Sequence, residues 1–391
     1  MVPRHQIILL LLFRVGRSLA AGMIILAFPY LVLRQAGALE LGVIYAAAAL
    51  ATAAAGLAVG FLADLWGRRR SLWLAGAMLP LSSALILFSH STPMIFAAAL
   101  VGGYSATGSL MGGGVGGAAQ PIQSTVIASL TREGQRTHWF SWFSFFSGVL
   151  SAVGALMDRW LTLQHAFLAA TVISAVGMLP LVWMHIPESR GQIAAMPSLK
   201  TIGQFSLTGL INGFSQGLIT PFLIPFFVLV FALPKRSMAV WGLVAGLVAA
   251  VALLAAPWLE RRFGFVRSIV FTRGLGAALV LLMPFVHILW VALAIYVLTP
   301  GLRVAALPAQ QTALTARVGA EETGRALGFN QVTRLAASAA AVGLTGALFE
   351  EADFHLPFEL YFVLMAFNLT LYRRFFGWEK SAPETTPQPA S

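Results

Sequence analysis

Five arginines, Arg14, Arg17, Arg273, Arg303 and Arg334, lie inside stretches of sequence that are otherwise apolar, and no lysine does. A guanidinium at bilayer depth costs roughly 2.5–3.5 kcal/mol on insertion scales, so each must face a cavity or a partner. The carboxylates offer no partner at that depth. Glu40, Asp158, Glu350, Glu351, Asp353 and Glu359 fall at or beyond one set of helix ends; Asp64, Glu133, Glu188, Glu260, Glu321, Glu322, Glu379 and Glu384 fall at the other, which accounts for all 14 acids. Positive charge without a fixed acid is the chemistry of anion recognition, because a guanidinium binds a carboxylate or phosphate through paired hydrogen bonds. Arg303 is the strongest candidate. It lies about 15 residues into an apolar run that begins at Ile288, beside the helix-loosening Pro300 and Gly301, so a wet, irregular site is expected there. Arg14 and Arg17 are three apart and share a helix face. Structural alternatives stand beside these readings: Arg14 can snorkel to headgroups, Arg273 is shallower and reads as interfacial or structural, and carbonyls freed by Gly or Pro can satisfy Arg17 or Arg303.

Neutral polar residues complete a candidate binding set of Arg14, Arg17, Gln123, Asn212, Gln216, Arg303, Gln310 and Asn330. Asn212 and Gln216 are one helical turn apart, as are the pair Gln120 and Gln123 within a turn. In hydrocarbon each amide needs a partner, which makes these either a cavity lining or interhelical glue. Tyr30, Tyr104, Trp142 and Tyr296 can stack on a solute or simply pack. No catalytic, metal or cofactor set accompanies them. The seven histidines are scattered, there is no cysteine, and the run Gly112 to Gly117 lacks the Lys and Ser/Thr of a phosphate loop. An enzyme is not expected, and neither a metal nor a cofactor.

The elements that position these groups follow from composition. With 391 residues, 58% of them hydrophobic and 10% charged, the chain has more apolar surface than soluble cores can hide. At about 20 apolar residues per crossing, roughly twelve spans are expected, near 7–33, 40–63, 71–90, 94–118, 138–160, 165–185, 203–231, 238–258, 267–286, 288–314, 328–349 and 357–376. The polar break between the sixth and seventh divides them six and six. Residues 1–185 then form an N-terminal six-helix bundle, 186–202 a cytoplasmic linker, 203–376 a C-terminal bundle and 377–391 a disordered cytoplasmic tail. Of the 25 basic residues, 16 lie in segments on the side of the N-terminus and only Arg34, Arg159, Lys235 and Arg236 on the opposite side. The positive-inside rule places both termini in the cytoplasm of a multi-pass inner-membrane protein. The formal charge of +11 is spread over short loops, which disfavours nucleic acid as a partner.

Between the second and third spans the sequence reads G-F-L-A-D-L-W-G-R-R-R, from Gly60 to Arg70. Gly60, Asp64, Gly67, Arg68, Arg69 and Arg70 match the pattern Gly, three residues, Asp, two residues, Gly, basic residues, and this stretch resembles the signature loop of the major facilitator superfamily. The halves also repeat. Gly22 corresponds to Gly217 at an offset of 195; Pro121, Gln123 and Thr125 to Pro308, Gln310 and Thr312 at 187; and Arg136, Phe140 and Gly154 to Arg325, Phe329 and Gly343 at 189. The loop itself recurs at an offset of 197, with Leu62, Gly67 and Arg70 matched by Leu259, Gly264 and Arg267, but Asp64 becomes Arg261. Arg17, Gly22 and Pro29-Tyr30-Leu31 are similar to a prokaryotic branch of the family whose members are described only as transporters or permeases.

The resemblance implies an all-α membrane protein of about twelve helices in two pseudo-symmetric six-helix bundles, working as a monomer by alternating access. It places the first, fourth, seventh and tenth spans around a central cavity, where Arg14, Arg17 and Arg303 are expected to converge on a small anionic solute. It also implies that Asp64 latches the cytoplasmic side against the eleventh span, which carries Arg325 and Arg334. The partners are a small-molecule substrate and membrane lipid, with a coupling proton or counter-ion left open. The alternatives are a multidrug or hydrophobic-compound efflux protein and a non-transporting receptor or scaffold. If Asp64 is the latch, Asp64→Asn lowers solute flux in liposomes while membrane insertion is unchanged; unaltered transport kinetics in that variant contradict the latch.

Overall fold

The computed structural model describes residues 4–88, 91–105, 119, 122–123, 126–127, 130, 133–186, 199–305 and 323–377. Every regular element among them is helical. Helices α1 (Arg4–Gln35), α2 (Ala38–Trp66), α3 (Arg68–Phe88), α4 (Thr92–Gly102), α5 (Glu133–Met157) and α6 (Leu163–Val176) come first. They are followed by α7 (Leu199–Ile219), α8 (Leu223–Phe231), α9 (Lys235–Phe263), α10 (Phe265–Leu282), α11 (Leu289–Ala305), α12 (Thr323–Glu350) and α13 (Leu356–Phe376). Eight stretches of described helix are long and apolar enough to cross a membrane. With α7 and α8 counted as one broken crossing, these helices occupy all twelve spans read from the sequence.

Short links turn the chain at both ends of the bundle. One end carries the start of α1 and the end of α13: the Gln6 side chain accepts from the His185 amide at 2.8 Å, and the Phe205 and Phe376 rings lie 4.4 Å apart. The links after α1, α5, α8, α10 and α12 lie at the other end, called here the distal face. Exposed tryptophans mark both ends, Trp160 and Trp290 at the distal face and Trp66, Trp183 and Trp258 at the terminal face, as expected of rings seated at headgroup level. Between these levels the bundle exposes Leu50, Val251, Phe271 and Val363, each at a lipid-facing position.

The repeat seen in the sequence is a repeat of shape. Gly67 is the whole link between α2 and α3, with φ of 90°, and Gly264 is the whole link between α9 and α10, with φ of 77°. Both values lie where an L side chain is strained, so a single residue can reverse the chain only if it is glycine. The other matched pair sets helix spacing. A methyl group on Gly22 would lie 1.9 Å from the Ser151 carbonyl oxygen, and one on Gly217 would lie 2.4 Å from that of Ser338. Thus α1 crosses α5, and α7 crosses α12, backbone against backbone. Such contacts are how helices associate in lipid, where apolar burial gives little net drive. The first crossing is reinforced by the Ser18 and Ser147 hydroxyls, 2.8 Å apart.

The seventh span departs from a continuous helix. Residues Thr220–Phe222 form a 3-10 turn, because Pro221 carries no amide proton and its ring opposes a straight helix. The tenth span departs in the opposite sense: α11 runs unbroken through Pro300 and Gly301 to Ala305. The irregular backbone expected beside Arg303 is therefore found across the cavity, at Pro221.

The crossings make a measurable prediction. Gly22→Ala forces α1 and α5 apart at a cost of about 1–3 kcal/mol, whereas Gly343→Ala, whose added methyl meets nothing closer than 4.0 Å, is nearly neutral. Thermal unfolding of the purified variants should separate the two; equal midpoints contradict the crossing.

Candidate functional site

A central cavity is bounded by α1, α2, α5, α7, α8, α9, α10, α11 and α13. Its walls are mostly apolar, with Ile25, Leu26, Ile219 and Ile224 among them, and three tyrosines, Tyr45, Tyr296 and Tyr361, face it. Arg303 supplies the charge. Its guanidinium donates to the Gln216 side-chain oxygen at 3.0 Å and to the Thr220 hydroxyl, and that hydroxyl itself donates to Gln216 at 3.0 Å. The break in the seventh span brings Thr220 into this triangle. Both acceptors are neutral, and among the described residues no Asp or Glu lines the cavity. The arrangement can hold the positive charge in place without cancelling it, and offers a solute one guanidinium, two hydroxyl or amide groups and aromatic walls.

The remaining arginines make their contacts elsewhere. Arg14 donates to the Gln123 side-chain oxygen, tying α1 to the chain that follows the fourth span. Arg17 donates to the Ala75 carbonyl at 3.0 Å and sits 5.5 Å from the Phe13 ring centroid. Neither lines the cavity with Arg303, so the structure does not bring the three expected arginines together. Arg273 is buried over the Tyr372 ring, 5.7 Å from its centroid, which fits the structural rather than the interfacial of its two expected roles. Arg334 donates to Gln331 one turn away at 2.7 Å.

Of the candidate amides among the described residues, only Gln216 lines the cavity. Asn330 donates to the Phe205 carbonyl at 2.7 Å and serves as glue between α12 and α7. Asn212 is buried, and its side-chain oxygen has no hydrogen-bond partner among the described residues. Gln310 lies outside the described residues, as do the side chains of Asp64 and Arg325. Within the signature loop, Gly60 belongs to α2, Gly67 makes the turn, Arg68 and Arg70 open α3, and Arg69 donates to the Val182 carbonyl at 2.8 Å. Tyr104 packs inside, sharing its hydroxyl with Ser82 at 2.9 Å, and Trp142 stacks on Phe146.

At the distal face the cavity is covered by contacts between helices that precede residue 186 and helices that follow residue 199. The Glu350 carboxylate, at the end of α12, accepts from the Ala38 and Leu39 amides at 2.7 and 3.2 Å. These are unsatisfied donors of the α2 N-terminus, and the helix dipole adds to the attraction. Gly37 permits the approach, since a methyl there would lie 2.4 Å from the carboxylate. Below this cap α2 and α12 cross at Gly42 and Gly346, where a methyl on Gly42 would lie 2.6 Å from the Gly346 Cα. On the other flank the Tyr30 hydroxyl donates to the Leu233 carbonyl at 2.8 Å, and the Lys235 ammonium to that of Leu161 at 2.8 Å. Glu350 escaped the sequence reading, where it counted only as a loop acid, because its partners are more than 300 residues away. Its position at the very end of an apolar run, facing a glycine-led helix start, was the available signal.

The comparisons with known proteins agree with this architecture. Residues 10–342 match the sequence profile of the Major Facilitator Superfamily. No curated protein matches the chain significantly. Among solved structures, the human organic anion transporter MFSD10 (TETRAN) is similar with a TM-score of 0.72 at 15% identity, covering 95% of this chain and 100% of its own. A D-xylose-proton symporter gives 0.70 at 14% identity over 95% and 96%, and the nucleoside transporter NupG 0.68 at 12% over 95% and 98%. At such identities these likenesses show the fold alone. The match over most of the sequence, on a bundle of twelve spans with a central cavity, establishes that the chain belongs to the major facilitator superfamily of membrane transporters.

Proposed function

We propose that the protein moves a small organic anion across the membrane, binding it at Arg303 in the central cavity and exposing it to each face in turn as two six-helix halves rock. The observation that carries the reading is the guanidinium of Arg303, held by the neutral oxygens of Gln216 and Thr220 with no acid in the described lining. A solute carboxylate or phosphate supplies the missing counter-charge through paired hydrogen bonds. The apolar and aromatic remainder of the lining suits a solute with a hydrophobic or ring portion. One structural neighbour is described as an organic anion transporter, which is compatible with the same solute class. The distribution of basic residues assigns the terminal face to the cytoplasm and the distal face to the exterior of a bacterial inner membrane. Arg14 and Arg17 then act in support, fastening the first helix to its neighbours.

The apolar lining also favours a second reading, efflux of hydrophobic compounds, and the same experiment divides the two. Thermal stabilisation of the purified protein is measured across organic anions and their neutral isosteres, and hits are followed by liposome flux. Anions should stabilise and isosteres should not, and Arg303→Gln should weaken the apparent affinity by about tenfold or more, the scale of one hydrogen bond to a charged group. Arg17→Gln, which lies outside the cavity, should leave that affinity within a few-fold. Stabilisation by lipophilic cations, or by anions equally well in Arg303→Gln, contradicts the anion site.

A further inference from the structure

Helix α5 ends at Met157, and the next residue, Asp158, has no exposed surface. Neither of its carboxylate oxygens has a hydrogen-bond partner among the described residues. The facing cation is Lys235, the first residue of α9, whose ammonium lies 3.9 Å from Oδ2. That separation is outside hydrogen-bond range, and the ammonium donates instead to the Leu161 carbonyl. The other polar groups nearby are also committed. Arg159 donates weakly to the Arg236 carbonyl at 3.4 Å, Tyr30 to Leu233, and the His165 ring contacts the Thr162 hydroxyl at 2.9 Å. Arg236 lies next to Lys235 in the chain and opposes its charge. An ionised carboxylate in this position has lost its water without gaining a hydrogen bond, which is the arrangement that drives a group to neutralise.

Asp158 precedes residue 186 and Lys235 follows residue 199, so the pair lies on the seam that covers the cavity at the distal face. We propose that Asp158 is a proton-binding site coupled to closure of that seam: its carboxylate takes a proton from the distal compartment as α5 and α9 close over it, and returns that proton when they part. One proton moves from water to a carboxylate oxygen, Lys235 keeps its charge and its bond to Leu161, and the closed seam gains one positive charge. The site is separate from Arg303 and stands or falls independently of the anion reading.

The sign follows from linkage. Burial pushes the Asp158 carboxyl up to about 7 in the closed seam, with Lys235 pulling the other way. When the seam opens, water reaches the group and it returns to the ordinary range of about 4. The closed state therefore binds the proton more tightly, so the stabilisation of closure is fully present below about pH 4 and is lost as pH rises through about 7. An acidic exterior then favours the state whose distal face is shut.

Because the chain has no cysteine, spin labels can be placed at Gln164→Cys and Ile288→Cys, both exposed at the distal face on opposite sides of the seam. Pulsed electron resonance distances are then recorded in nanodiscs between about pH 5 and pH 9. The short-distance population should dominate in acid and give way to a longer one as pH rises through about 7. Asp158→Asn, permanently neutral, should keep the short distance at every pH. Lys235→Gln, lacking the opposing charge, should extend the pH dependence to more alkaline values. A distribution that does not change with pH, one that opens in acid, or a response that Asp158→Asn retains or Lys235→Gln leaves in place overturns the proposal.

Discussion

A guanidinium inside an apolar bundle must be met by oxygen atoms, and the kind of oxygen decides what the charge can still do. Here Arg303 is met by an amide and a hydroxyl, Arg14 by an amide and Arg17 by backbone carbonyls. Neutral acceptors offset the loss of hydration without pairing the charge, so the interior keeps a net positive field. For Arg14 and Arg17 the oxygens belong to neighbouring helices, and the charge fastens the bundle. For Arg303 they belong to the end of α7 and the break that follows it, on the wall of a cavity, where the proposed solute would meet the charge. One chemical requirement thus yields fasteners in one place and a site in another.

The helices can present these groups because they approach so closely. Gly22 against Ser151 and Gly217 against Ser338 fix the same crossing twice, and Gly67 and Gly264 make the same one-residue turn twice. The two halves meet at the distal face through a third glycine crossing, Gly42 with Gly346, capped by Glu350 on the start of α2. A carboxylate on a helix N-terminus is a contact that can be broken and remade at modest cost, since its attraction is about 0.3–1 kcal/mol when exposed and up to about 2 kcal/mol when partly buried. That range suits a seam that has to open. Asp158 adds a different element to the same seam, a buried group whose charge depends on the compartment it faces.

Much of this was legible in the sequence, for a physical reason: in lipid, apolar runs of spanning length have few alternatives to becoming helices. The spans, the glycine turn at Gly67 with its copy at Gly264, and the singling out of Arg303 and Gln216 all came from local pattern. The pairings did not. Arg14 and Arg17 were grouped with Arg303 because the family resemblance sets their spans around one cavity, yet they turn toward Gln123 and Ala75, and only tertiary packing decides that. Pro300 and Pro221 are equally visible as prolines, but the helix tolerates the first and breaks at the second. Glu350 and Asp158 read as ordinary acids at helix ends because the groups that give them meaning lie in the other half of the chain.

The central claim is that the uncancelled charge of Arg303 receives the acidic group of the solute. It is tested most directly by locating a brominated aromatic carboxylate in a crystal of the protein through its anomalous signal. The account predicts a bromine peak inside the cavity among Tyr45, Tyr296 and Tyr361, with the carboxylate against the Arg303 guanidinium. A peak elsewhere on the protein, or a carboxylate turned away from Arg303, contradicts it.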